Sequence, residues 1–181
     1  MEKNKICLNS AGIRYFYNCF SKDQSTKNIA MRALIQRVNH AGVEIEGEEK
    51  ASIGKGLLIL LGVEEQDNEQ DIPWMTGKIS KLRIFEDEDG QMNLSIRDVG
   101  GEVLVISQFT LHAKTKKGTR PSYSRAAGPD RAHALYEAFA RQMGREIGIT
   151  AQTGEFGAYM KVNLENDGPV TIMIDSRNKD L

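Results

Sequence analysis

Ser107, Gln108 and Thr110 stand where an apolar strand stops being apolar. The run Val103-Leu104-Val105-Ile106 is continuously aliphatic, the pattern of a strand covered on both faces. A buried strand that ends in polar groups is where a fold typically presents a site. The competing reading has Ser107 and Thr110 satisfying local hydrogen bonds at a strand end. Ser107 with His112 first suggests a serine hydrolase. Residues five apart on a continuing strand point to opposite faces, so the sheet would part these two unless the strand ends first. His40 and His133, the other histidines, have no recognisable partner, and no G-x-S-x-G elbow is present. A zinc set is missing too, because the histidines lack i, i+4 spacing and no cysteine follows Cys19. Gly54 and Gly56 do not continue as a G-x-G-x-x-G phosphate loop. What remains is chemistry without an ionisable protein catalyst. Backbone N–H groups at a strand end can bind a developing oxyanion, while a hydroxyl on the substrate activates water.

A second set of groups follows closely. Lys114 to Arg125 is the densest basic run, with Lys116, Lys117, Arg120 and Arg125 laced among hydroxyls and Tyr123. Such groups contact phosphate and stack on bases. Alone, a basic loop reads as solvated; so near the polar strand end it becomes a candidate grip on a nucleic-acid backbone. Asp87-Glu88-Asp89-Gly90 carries three carboxylates but not the oxygen-ligand pattern of a Ca²⁺ loop, so it reads as a solvated turn. No metal or cofactor is expected.

These groups need a scaffold, and 181 residues with 40% hydrophobic and 27% charged content supply one ordinary globular domain. A net charge of −1 gives no global pull toward nucleic acid, so contact with RNA must be local. No apolar stretch approaches a membrane span, and a cysteine-free chain after Cys19 suits a reducing cytoplasm; a Cys7–Cys19 disulfide stays open. Residues 1–30 show no sustained period and are expected to be a disordered extension or the product of an upstream start codon. The domain is expected over 31–181.

Met31 opens a strand through Val38, and Val43-Glu44-Ile45 reads as a separate half-exposed strand, with a turn at Gly47-Glu48-Glu49. Leu57 to Val63 reads as a buried central strand, followed by an acidic linker from Glu64 to Gln70. A helix with Pro73 in its first turn buries Ile72, Met75, Ile79 and Leu82; Trp74 packs there or at an interface. A second helix from Pro129 buries Leu135, Tyr136, Phe139, Met143 and Ile147 and ends at Gly148. Thr150–Thr153 and Ala158–Leu164 read as strands, and Gly168-Pro169 as a turn between two strands. The order predicts an α/β domain of compact mixed sheets, or a partial β-barrel, with two main helices packed outside.

Two motifs carry a resemblance. Ser107-Gln108-Phe109-Thr110-Leu111 and Asn166-Asp167-Gly168-Pro169-Val170-Thr171, with the opening Met31-Arg32-Ala33-Leu34-Ile35-Gln36-Arg37-Val38, resemble the D-aminoacyl-tRNA deacylase family, also called the D-tyrosyl-tRNA deacylase family. The resemblance covers Met31 to about Ile174 and leaves residues 1–30 without a counterpart. It implies a three-layer fold and a cytoplasmic, homodimeric editing hydrolase. That enzyme would cleave D-amino acids, and glycine mischarged on alanine tRNA, from the tRNA acceptor end. Ser107, Gln108, Phe109 and Thr110 would then form the catalytic pocket, with the Gln108 and Phe109 amides as the oxyanion hole. Gly168 and Pro169 would form a cis dipeptide in the partner subunit's pocket that excludes L side chains, supported by Arg37, Asn166 and Thr171. The tRNA 2′-hydroxyl would assist the chemistry. Against this stand a protein-nucleophile hydrolase of small esters or peptides, and a non-enzymatic RNA-binding module using Lys114 to Arg125.

Overall fold

The computed structural model describes residues 7–8, 14–15, 30–116 and 118–178. Near the start, β1 (Cys7–Leu8) pairs antiparallel with β2 (Arg14–Tyr15). The domain itself is a six-stranded sheet ordered β10 (Lys161–Asp175), β3 (Arg32–Ile45), β5 (Gly56–Gly62), β8 (Glu102–Ser107), β9 (Gln152–Thr153), with β4 (Glu48–Ile53) paired to β3. Its centre is β5, antiparallel to β3 and parallel to β8.

The side-chain period of two divides this sheet between two cores. Leu57, Ile59 and Leu61 of β5, with Val103 and Val105 of β8, face the helices. Leu58 of β5, with Leu104 and Ile106 of β8, faces the opposite core. Continuous aliphatic runs are what a strand buried on both faces requires.

The expected break between Met31–Val38 and Val43–Ile45 is absent, because β3 runs unbroken for 14 residues. A bulge explains the change in pattern. Opposite β10, Glu165 pairs with His40 and Asn166 with Val38, so Asn39 is skipped. One extra residue swaps the strand's faces. Ala33 and Ile35 therefore point to the helices, while Ala41, Val43 and Ile45 point to the other core. The first half of β3 pairs with β5 and the second with β4 (Glu48–Ile53). The bulged strand thus folds the sheet over into a partial barrel. The turn here is Glu46-Gly47, with Glu46 at φ 53° and Gly47 at φ 86°; Glu48 and Glu49 already belong to β4.

Two helices cover the other face, giving three layers. α1 (Asp71–Ile79) buries Ile72, Met75 and Ile79. α2 (Pro129–Ile147) buries Leu135, Tyr136, Phe139 and Met143 and ends on Gly148 at φ 79°, a left-handed cap that glycine adopts without steric cost. The parallel β5–β8 pair needs a crossover. α1 and the small ribbon β6 (Phe85–Glu86) and β7 (Met92–Leu94) supply it. α2 likewise crosses from β8 to the parallel β9 (Gln152–Thr153).

The segment read as an acidic linker is not solvated at its start. Glu64 and Asp67 are 2% and 0% exposed. The Asp67 carboxylate accepts the Glu64 N–H at 2.7 Å and turns the chain inward. The Gly168-Pro169 dipeptide is not a turn between two strands either. β10 (Lys161–Asp175) keeps one direction along β3. Asn166 pairs with Val38 and Thr171 with Gln36, so residues 167–170 bulge out opposite Arg37 alone.

Candidate active site

The β5–β8 ladder ends where Ser107 lies opposite Leu61. One more bond extends it, as the Gln108 N–H donates to the Leu61 carbonyl at 2.7 Å. The chain then leaves the sheet in a 3-10 turn, Phe109–His112. Its internal hydrogen bonding starts with the Leu111 N–H on the Gln108 carbonyl, at 3.2 Å. The Phe109 and Thr110 N–H groups precede that first bond, as the leading donors of any helix do. The Gln108 amide expected in the oxyanion hole is therefore committed to the sheet. The donors at the end of β8 are those of Phe109 and Thr110.

The turn sits tightly on β5. A Cβ on Gly62 would lie 2.9 Å from His112 Nε2, 3.0 Å from Leu111 Cβ and 3.1 Å from the Gln108 carbonyl oxygen. Only a residue without a side chain permits that approach. Gln108 Nε2 donates to Thr110 Oγ1 at 2.6 Å, bracing the turn from outside. Phe109 is 53% exposed and meets Tyr123 edge to face at 5.1 Å between ring centroids. Apolar surface presented beside backbone donors suits a ligand with both a flat ring and a carbonyl.

His112 does not complete a serine–histidine pair. Because β8 stops at Ser107, the opposite-face argument no longer applies. The imidazole is instead 2% exposed and packed over Gly62. Burial lowers its pKa below the ordinary histidine value, holding the ring neutral.

The basic loop divides. Lys114 and Ser122 exchange backbone hydrogen bonds of 2.8 and 3.1 Å, and Lys114 Nζ donates to Ser124 Oγ at 2.7 Å, closing a small hairpin. Lys116 and Arg120 are exposed on it. Lys117 lies outside the described residues. Arg125 departs from the expected row of cations, since its Nε lies 4.0 Å from the buried Glu64 Oε1. An arginine that faces a buried carboxylate, even without a hydrogen bond to it, is less free to take a phosphate.

The remaining candidates form a second, separate cluster. Arg37 is 3% exposed. Its Nη1 donates to the Ile84 carbonyl at 2.6 Å and its Nε to the Asp167 carbonyl at 3.3 Å. The same Nε lies 2.8 Å from Asp167 Oδ2, and Nη2 lies 3.7 Å from Glu86 Oε1. Asn166 Nδ2 bridges the Arg37 and Val170 carbonyls at 2.9 and 3.0 Å. Thr171 Oγ1 donates to Asn166 Oδ1 at 3.5 Å and accepts from Gln36 Nε2 at 3.3 Å. The bulge they frame holds a cis Gly168–Pro169 peptide, with Gly168 at φ 119° and both residues exposed.

The two clusters do not meet within one chain. Gly168 lies level with Arg37, which pairs with Leu57, whereas Ser107 pairs with Leu61. Four residues along the strands and three strand spacings across the sheet separate them by roughly 20 Å. Asp167, Glu86 and Gly62 join these clusters without having stood out in the sequence. A glycine inside an aliphatic strand was a usable sign of close backbone approach. The Asp167 and Glu86 pairings had no local signal, because both depend on the path of β10 past Arg37.

A family model described as "D-Tyr-tRNA(Tyr) deacylase" matches residues 34–175. The chain belongs to this family. The match takes in both clusters. A relative from Parabacteroides distasonis, named D-aminoacyl-tRNA deacylase, is 57% identical over 150 residues, 83% of this chain and 100% of that protein. A solved structure described as "c-Myc DNA Unwinding Element Binding Protein" is 38% identical with a TM-score of 0.74, covering 79% of this chain and 97% of that one. A "probable eukaryotic D-amino acid tRNA deacylase" superposes with a TM-score of 0.72 over 81% of this chain and 99% of that chain. At 16% identity it shows that the deacylase shares the fold.

Proposed function

We propose that the chain is an editing hydrolase that removes D-amino acids from the 3′-terminal adenosine of tRNA. The observation that carries this reading is the Phe109–Thr110 turn. There, backbone donors at a strand end stand beside an exposed aromatic ring, and the nearby histidine is buried. Family membership supports the same activity.

In this reading the ester carbonyl enters beside Phe109, whose N–H, with that of Thr110, receives the oxygen as it becomes tetrahedral. Gln108 contributes its side chain, which orients Thr110, and Ser107 shapes the pocket. The 2′-hydroxyl of the terminal ribose helps to activate water, so no protein nucleophile forms an acyl intermediate. Lys116 and Arg120 reach the acceptor-end phosphates.

Gly168 and Pro169 lie too far from the Phe109 turn of their own chain to act there. They project into the pocket of a second copy, which makes the working unit a homodimer. Their backbone would face the substituents of the substrate's α-carbon, so an L side chain collides while hydrogen or a D side chain fits. Glycine mischarged on alanine tRNA is therefore also cleared. The cytoplasm, where tRNA is charged and used, is the expected compartment.

The mechanism is tested with Ser107→Ala and with tRNA ending in 2′-deoxyadenosine. Turnover of D-tyrosyl-tRNA by Ser107→Ala should stay within about tenfold of the parent, and the 2′-deoxy substrate should be slowed at least a hundredfold. A covalent acyl-Ser107 species, trapped by acid quench and found by mass spectrometry, would show that the serine is the nucleophile after all.

A further inference from the structure

A side chain from another strand ties down the turn that presents the Phe109 N–H. Arg32, the first residue of β3, donates from Nη1 to the Leu111 carbonyl and from Nε to Asp175 Oδ2, each at 3.0 Å. Asp175, the last residue of β10, is 2% exposed. Its other oxygen accepts the backbone N–H groups of Arg177 and Asn178 at 3.1 and 2.9 Å. The following loop thus fixes Asp175, Asp175 fixes Arg32, and Arg32 fixes Leu111.

Leu111 is the residue whose own N–H closes the 3-10 turn on the Gln108 carbonyl. Such turns are short and have poor internal hydrogen-bond geometry, so an outside tie matters more here than in a long helix. Oxyanion donors act because they are fixed before charge develops, and a displacement near 1 Å is enough to cost about a hundredfold in rate. A guanidinium donates in two fixed directions at once, which an ammonium on a flexible stem does not reproduce.

We propose that Arg32 is a positioning residue for the reaction, holding the Gln108–His112 turn where the Phe109 N–H meets the carbonyl oxygen of the ester. The proposal rests on the deacylase reading above. Arg32 acts through Leu111 and not on the substrate, so its loss lowers the rate of the chemical step and leaves binding alone. It also joins the two ends of the site's framework, because Asp175 closes the same strand that carries Gly168 and Pro169.

The test uses the full-length Arg32→Lys protein in single turnover on D-tyrosyl-tRNA, with amide hydrogen exchange read on the same sample. The expected result is a rate at saturating protein at least tenfold below the parent, with the half-saturating concentration unchanged within twofold. Exchange should quicken at Leu111 and Ala113 and stay unchanged in β5. A folded Arg32→Lys protein with parental rate and parental exchange overturns the proposal. If Arg32→Lys does not fold, Asp175→Asn decides. That variant keeps the side chain's size and removes the charge that anchors Arg32. A threefold or greater fall in rate, again without a binding change, supports the clamp, and the parental rate refutes it. If the parent protein leaves the D-ester intact, the deacylase reading fails. The exchange pattern then judges the clamp alone, since quickening confined to the turn sustains it and no change sinks it.

Discussion

Arg37 Nε lies 2.8 Å from Asp167 Oδ2 and donates to the carbonyl oxygen of the same residue at 3.3 Å, so one buried guanidinium holds both ends of the residue that precedes Gly168. A second nitrogen of that guanidinium, Nη1, donates to the Ile84 carbonyl at 2.6 Å. A lysine cannot serve these sites together. Arg37→Lys should therefore destabilise the protein by about 1–2 kcal/mol, the range of one or two lost charge-assisted hydrogen bonds. It should also lower the ratio of D- to L-tyrosyl-tRNA cleavage. Urea denaturation and paired deacylation assays read the two effects; an unchanged ratio would separate Arg37 from chiral selection.

Gly168→Ala tests the bulge itself. At φ 119° an L side chain is strained, and the new Cβ would lie 2.8 Å from Val170 Cγ2 and 3.1 Å from the Val170 nitrogen. Strain of this kind costs about 1–3 kcal/mol. Because Gly168 is exposed, the bulge can yield without unfolding the sheet. The expected outcome is a folded protein whose rejection of L-tyrosyl-tRNA weakens at least tenfold. Parental discrimination in a folded variant would argue against the proposed role.

Gly62→Ala tests the other cluster. Its Cβ would meet His112, Leu111 and the Gln108 carbonyl at 2.9–3.1 Å. Overpacking costs about 1–3 kcal/mol, and the readiest relief is to push the 3-10 turn off β5. The single-turnover rate should fall at least tenfold while D over L selection survives. A folded variant with the parental rate would contradict that role for the turn.

Asp67 gives a pH dependence. Burial pushes its carboxyl up to about 6 from the usual 3.8. The folded protein thus binds that proton more tightly than the unfolded chain does. Stability from this group is full below about 4, falls as pH rises toward 6, and stays lost above it. Asp67→Asn keeps an acceptor for the Glu64 N–H and removes the charge. It should raise stability at pH 7 by about 1–2 kcal/mol after solvent screening, and flatten the slope between pH 4 and 6. Part of the slope remains, because burial raises Glu64 too. Urea midpoints across pH 3–8 measure this, and an unchanged slope would contradict it.

The central strands were legible because aliphatic runs such as Val103–Ile106 and Leu57–Leu61 reflect burial on two faces, and the helices because their apolar residues recur at helical spacing. The bulge at Asn39 was not legible, since a face switch within one strand looks like two strands when read by period alone. Gly168-Pro169 was visible as a motif, but its place inside a continuing strand depends on pairing with β3, which local sequence does not encode. The sheet bond of the Gln108 amide was hidden for a related reason. Whether a backbone N–H is spent on the ladder depends on where the neighbouring strand ends, here at the Leu61 carbonyl. Arg125 looked like a surface charge because the contact that turns it inward, with Glu64, joins segments distant in sequence.

Chiral selection of an aminoacyl ester is read out in a single assay. The purified protein is incubated separately with D-tyrosyl-, L-tyrosyl- and glycyl-tRNA, and loss of each ester is followed with time. The D and glycyl esters should be lost rapidly while the L ester decays no faster than it does without protein. Equal rates on the D and L esters, or no hydrolysis of either, would contradict it.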